Sequence, residues 1–173
     1  SSFSAMKWMT PECFMCASAP PRASAEMSSP VTCLMTRGPV LKSEGNLNNQ
    51  YGLPLTLLRR DESQRSAVVE IGMNHAGEIA QLVPMVNPHI AIVTEIAASH
   101  LGHFASLDEI ADAKAEIFSG LTAGGFAVIN RDTPFFERLA AAACAAGVTN
   151  VVGFGRHEKA DVRLTRVALH AEC

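Results

Sequence analysis

Three stretches decide the fold: Ala67-Val68-Val69-Glu70-Ile71-Gly72, Ile90-Ala91-Ile92-Val93-Thr94 and Phe126-Ala127-Val128-Ile129-Asn130. Each is a short apolar run rich in β-branched residues, which predicts a strand buried on both faces. Val151-Val152-Gly153-Phe154 predicts a fourth, and residues 162–169 open another. Helical spacing fills the gaps between them. Ile79, Leu82, Val83 and Val86 recur as one face, and Asn87-Pro88 stops that helix. Ser106 with Glu109 forms a capping box that starts a second helix, running to about Leu121 and ending near Gly124-Gly125. Thr133-Pro134 opens a third, Ala-rich, which ends at Gly147. Strands alternating with helices predict an α/β fold, a doubly wound and mostly parallel sheet flanked by helices. Ligands of such sheets bind beyond the carboxyl ends of the strands.

Working outward, the composition changes near residue 40. Residues 1–40 hold Trp8, five of the seven Met, three of the five Cys and five of the nine Pro, with one glycine, Gly38. No helical or alternating period runs through them, and linkers are rich in Gly, Ser or charge rather than Met and Cys. Residues 1–40 are therefore expected to be an atypical segment, disordered or translated from a shifted reading frame; a divergent native segment is the alternative. Residues 41–173 are expected to carry the folded part.

The chain has 173 residues, the length of one domain, with about half of them apolar and a net charge of −3. That balance gives no electrostatic case for nucleic acid or an anionic membrane. No run reaches the ~20 apolar residues needed to span a bilayer. Lys7, Pro11 and Glu12 interrupt any signal-peptide core, and five irregularly spaced cysteines do not make a disulfide framework. A cytoplasmic setting is expected. Cys13-Phe14-Met15-Cys16 has the spacing of half a zinc knuckle but lacks a second pair.

Three residues break the local pattern. Glu70 ends a buried apolar strand, where a carboxylate must meet a cation or protonate; bound Mg²⁺ satisfies it, and so does an arginine or a backbone N–H. His100 lies in the loop after the next strand, where an imidazole can hold a metal or phosphate or simply face solvent, as can His103. Lys114 lies on the helical stripe of Leu107, Ile110, Ile117 and Phe118. Burial there favours the neutral amine, which can add CO₂ to form a carbamate suited to Mg²⁺; snorkelling to solvent is the alternative. The loop Ser43-Glu44-Gly45-Asn46-Leu47-Asn48-Asn49 offers dense amide donors and acceptors to a polar substrate, or forms turns.

Taken together these blocks resemble the Mur ligases. The residues are the Asn-rich loop with Gly52-Leu53-Pro54-Leu55-Thr56-Leu57-Leu58, residues 68–79 from Val68-Val69-Glu70 through Asn74-His75, His100-Leu101 with Ala113-Lys114-Ala115-Glu116-Ile117-Phe118, and Val128-Ile129-Asn130. The resemblance covers about residues 40–155 and is nearest to the family members that add D-alanyl-D-alanine to UDP-N-acetylmuramoyl-tripeptide. It implies a partial central ATPase domain, with ATP and Mg²⁺ as cofactors, and a monomer is expected. Glu70 and His100 would hold Mg²⁺ on the ATP phosphates, and carbamylated Lys114 a second ion. Asn46, Asn48 and Asn49, with Asn74 and His75, would face the UDP-muramyl-peptide, and Asn130 the nucleotide. The implied reaction is phosphorylation of a peptide carboxylate by ATP, then attack of the dipeptide amine on the acyl phosphate.

The family's Gly-rich loop ending in Gly-Lys-Thr/Ser is absent from these 173 residues, and Asn130-Arg131-Asp132-Thr133 replaces one acid of the family's strand-end pattern. The chain alone is therefore expected not to ligate. Two other readings stay open: a non-catalytic fragment that binds nucleotide or muramyl-peptide weakly, and a folylpolyglutamate-type ligase, against which the Asn-rich loop argues.

Overall fold

The computed structural model describes residues 34–97 and 102–165. In chain order these residues form β1 (Val40–Lys42), α1 (Gly52–Leu58), β2 (Ser66–Val68), α2 (Glu78–Val86), β3 (Ile90–Val93) and α3 (Leu107–Ala115). A 3-10 turn (Glu116–Gly120) continues α3, followed by β4 (Phe126–Asn130), α4 (Phe136–Ala145), β5 (Asn150–Gly155) and β6 (Val162–Arg163). Every strand pairing is parallel, as the alternation of strands and helices requires.

The strands fall into two sheets rather than the single sheet expected. β1 pairs with β2 in one, and β3-β4-β5-β6 run in sequence order in the other. In the larger sheet Ile90 lies opposite Phe126, and Phe126 opposite Asn150, so the apolar residues of β3, β4 and β5 stay in step. Ala91, Val93, Ala127 and Ile129 are buried there against Ile79, Ile110, Leu139 and Ala143 of the helices.

The strand expected over residues 67–72 is shorter, Ser66–Val68. Beyond Val68 the backbone bonds to the Asn-rich segment instead of a neighbouring strand. The Glu70 N–H donates to Ser43 Oγ at 2.9 Å, and the Gly72 N–H to the Asn48 carbonyl at 2.8 Å. Gly72 is needed there, since a Cβ would come within 2.8 Å of the Asn48 side chain. Glu70 is consequently exposed rather than buried at a strand tip.

The helix ends follow local chemistry. α2 stops at Asn87, which adopts the left-handed conformation (φ 47) and returns its N–H to Val83. Ser106 Oγ accepts the Glu109 N–H at 3.2 Å, while Glu109 Oε2 reaches Ala105 N rather than Ser106 N, one residue beyond a standard capping box. The helix expected to run unbroken to about Leu121 tightens at Glu116 into the 3-10 turn. That turn is pressed onto α2: a Cβ at Gly120 would overlap the Val83 side chain.

Glu116 explains part of this contact. α2 begins on Gly77 (φ 89) and has no capping side chain of its own. Glu116 supplies one from a distance: Oε1 accepts Gly77 N–H at 2.7 Å and Oε2 accepts Ala80 N–H at 3.0 Å. A carboxylate on a helix N-terminus satisfies orphan donors and opposes the helix dipole. Glu116→Ala is expected to destabilise the fold by about 1 kcal/mol, seen as a lower urea midpoint with an unchanged slope. An unmoved midpoint would mean that water replaces the carboxylate without loss.

Candidate functional site

The turn after β2, the Asn-rich loop and the start of α1 meet over the carboxyl ends of the strands. The Asn49 side-chain oxygen accepts the N–H groups of Tyr51 at 3.1 Å and Gly52 at 2.9 Å, and so turns the chain into α1. Asn48 Nδ2 donates to Glu70 Oε1 at 2.8 Å. The Asn46 carbonyl accepts the Asn48 N–H, which tightens the loop. Of the three amides, Asn49 thus fixes backbone, Asn48 aims the carboxylate, and Asn46 carries neither task.

These residues line a cavity of about 960 Å³ together with Asn74, Glu70 and Lys114. Lys114 is half-buried on α3. Burial pushes its amine below the usual lysine value, against the opposing charges of Glu95 and Glu70. Glu95 is exposed, one residue past Thr94 and so beyond the end of β3. The sequence reading missed it, although the signal that singled out Glu70, an acid just past an apolar strand, also marks Glu95.

His75 is not part of the cavity lining. Its Nδ1 lies 3.0 Å from Glu78 Oε1, and its ring meets His103 edge-to-face at 4.9 Å between centroids. Glu78 Oε2 accepts the Asn74 N–H at 2.6 Å. That backbone bond, then the His75 contact, holds the Glu78 carboxyl below the usual range. His100 lies outside the described residues.

Asn130 is also set apart from the cavity. Its Nδ2 donates to the Thr94 carbonyl at 2.8 Å and its Oδ1 accepts the Asp132 N–H at 2.9 Å, tying the ends of β3 and β4 together. The next acid, Asp132, clamps the turn after β5. It accepts the N–H groups of Arg156 and His157 at 2.8–2.9 Å, bonds that hold its carboxyl below the usual value. A smaller cavity of about 360 Å³ opens beside it, between Arg131, Pro134, Phe136 and His157.

Among the described residues no three His, Cys, Asp or Glu side chains cluster as a metal site. A magnesium ion on a nucleotide needs only one or two protein carboxylates, because phosphates and water complete its shell. An exposed Glu70, oriented by Asn48 and facing Lys114 across one cavity, fits that requirement.

The parallel α/β scaffold thus carries an acid, an amine and an amide-rich loop around one cavity. Residues 22–173 match the Mur ligase middle domain, and the chain belongs to that family. The match begins ahead of the compositional change near residue 40. Curated relatives are UDP-N-acetylmuramoyl-tripeptide--D-alanyl-D-alanine ligases. That of Escherichia coli is 50% identical over 95 residues, covering 55% of this chain and 21% of its own length. That of Bacillus subtilis is 40% identical over 124 residues, 72% of this chain and 26% of its own. Among solved structures, MurF of Acinetobacter baumannii superposes with a TM-score of 0.72 at 34% identity, over 79% of this chain and 29% of that one. MurF of Thermotoga maritima, solved in complex with ADP, gives 0.64 at 29% identity, over 74% of this chain and 29% of that one. The chain therefore spans less than a third of the length of these relatives. Among the described residues no helix is long and apolar enough to cross a membrane.

Proposed function

We propose that this chain forms part of the ATP and muramyl-peptide site of a ligase that adds D-alanyl-D-alanine to UDP-N-acetylmuramoyl-tripeptide. The observation that carries the reading is the shared cavity of Glu70, Lys114 and the Asn-rich loop at the strand ends. The relatives bear that activity in their names. In this reading Glu70 and His100 hold Mg²⁺ on the ATP phosphates. Held there, Mg²⁺ would supply charge neutralisation to the transferred phosphoryl group. The neutral Lys114 amine adds CO₂ and loses a proton, giving a carbamate anion for a second ion. Asn46 and Asn74 face the muramyl-peptide, with His75 contacting it from outside the cavity lining, while Asn48 keeps Glu70 aimed and Asn49 holds the loop. Asn130 fixes the strand ends on the nucleotide side. The γ-phosphoryl group passes to the peptide carboxylate, and the dipeptide amine then displaces phosphate from the acyl phosphate. A monomer in the cytoplasm completes the reading.

The sequence has no Gly-Lys-Thr/Ser loop to cradle the β- and γ-phosphates, so binding without appreciable turnover is expected of the chain alone. Titration calorimetry with Mg-ATP and with UDP-muramyl-tripeptide tests this. Glu70→Gln is expected to weaken Mg-ATP binding about tenfold to a hundredfold and to leave the muramyl-peptide less affected. Binding of neither ligand by the unaltered chain would overturn the proposal.

A further inference from the structure

Two carboxylates meet at the start of α2, and only one of them serves the helix. Glu116 takes the first-turn donors, Gly77 N–H and Ala80 N–H, from the 3-10 turn. Glu78, the first residue of α2, turns the other way. Its Oε2 accepts the Asn74 N–H at 2.6 Å, four positions back and outside the helix, and its Oε1 meets His75 Nδ1 at 3.0 Å. Both oxygens are thus committed to the loop that leaves β2. Earlier in that loop the Gly72 N–H bonds the Asn48 carbonyl, and Met73 is buried in the core. The loop is therefore held at Gly72, Met73, Asn74 and Gly77 in turn.

The side chain at the centre of this support bonds to nothing nearby. Asn74 lines the large cavity, and its side-chain amide makes no hydrogen bond among the described residues. Asn48 and Asn49, by contrast, use their side chains within the protein. A fixed backbone under an unengaged amide keeps a donor and an acceptor ready for a ligand, with less ordering left to do on binding. Glu78 has a second effect. The Asn74 bond, then the His75 contact, hold its carboxyl below the usual range, so at neutral pH it is ionised and can only accept. His75 must then carry its proton on Nδ1, which makes Nε2 of the neutral ring an acceptor for an N–H or O–H. We propose that Glu78 is a positioning residue for the muramyl-peptide, acting through Asn74 and His75 to present one amide and one imidazole acceptor to the ligand's own amide and hydroxyl groups. The inference rests on the muramyl-peptide reading of the cavity given above.

Titration calorimetry of the full chain with UDP-muramyl-tripeptide tests this. Glu78→Gln should weaken binding about tenfold, but by less than about threefold in a chain that already carries Asn74→Ala, because most of the effect passes through that side chain. An equal loss in both backgrounds marks a general structural role and overturns the proposal. Asn74→Ala alone leaves the bonds of Glu78 in place and should weaken binding about as much as Glu78→Gln. Unchanged binding by Asn74→Ala overturns the proposal even where Glu78→Gln fails to fold. Without ligand, Glu78→Gln should speed hydrogen exchange at the Asn74 amide about tenfold, and an unchanged rate overturns the proposal as well. An unaltered chain that binds no UDP-muramyl-tripeptide brings down the reading of the cavity and this inference with it, whereas binding that survives Glu78→Gln undiminished overturns the inference alone.

Discussion

Phe118→Ala is expected to lower the unfolding free energy by about 3–5 kcal/mol, the range for deleting a fully buried aromatic ring. Phe118 is 1% exposed and sits in the core with Ile79, Ile110 and Leu139. It hangs from the 3-10 turn, whose Gly120 is already in contact with Val83 and whose Glu116 is bonded to the start of α2. The turn therefore cannot easily slide inward to fill the space left by the ring, and the cavity term adds to the lost transfer energy. Domains of this size are stable by roughly 5–15 kcal/mol, so the change would remove a large share of the total. Urea unfolding with Leu58→Ala as the control measures it. Leu58 is 81% exposed, and its truncation should stay within about 0.5 kcal/mol. A loss near 1 kcal/mol for Phe118→Ala would show that the helices relax onto the site.

The parallel β-α-β order was legible because the three apolar runs announce buried strands without needing their neighbours. β3, β4 and β5 lie within or close to the expected stretches. β1 and α1 were not legible. Val40–Lys42 is three residues long and follows Pro39, too short for any period to register. Gly52–Leu58 opens with Gly and Pro54, which read as loop until Asn49 is seen to bond the N–H groups of Tyr51 and Gly52. The division into two sheets lies beyond a periodicity argument, since β2 and β3 each carry the composition of a central strand whether or not the edge between them is filled.

At the site, sequence reasoning found the residue types and misjudged their environments. Glu70 stood out because an acid in an apolar run is expensive, yet its carboxylate is exposed and held by Asn48, twenty-two positions away. A partner at that separation follows from the turn after β2, not from any local spacing. Asn130, which only the resemblance put on the nucleotide side, braces the ends of β3 and β4 through Thr94 and Asp132. Helix geometry put Lys114 on the apolar stripe and left burial and snorkelling open; α3 holds it half-buried at the cavity.

Lys114→Met is expected to raise stability at neutral pH while abolishing carbamate chemistry. Burial holds the folded-state lysine below its ordinary value of 10.5, more strongly than Glu95 and Glu70 pull it back. Below the folded value the unfolded chain and the folded chain both carry the ammonium, but the folded one carries it at a desolvation cost. Between the folded value and 10.5 the unfolded chain binds more protons than the folded one, so stability climbs with pH across that window. Methionine fills similar space without the charge, so the variant should lose this climb and gain most at pH values below it. Paired urea curves from neutral to alkaline pH measure the effect; a variant that is less stable at neutral pH would show that the carboxylates hold the ammonium better than water does. The same amine has a second readout. In ¹³C-bicarbonate the unaltered chain should give a carbamate carbon signal that strengthens as the amine deprotonates, and Lys114→Met should give none. Both results together would mark Lys114 as placed for chemistry rather than for packing, and a chain whose carbamate signal survived the substitution would assign that chemistry to another amine.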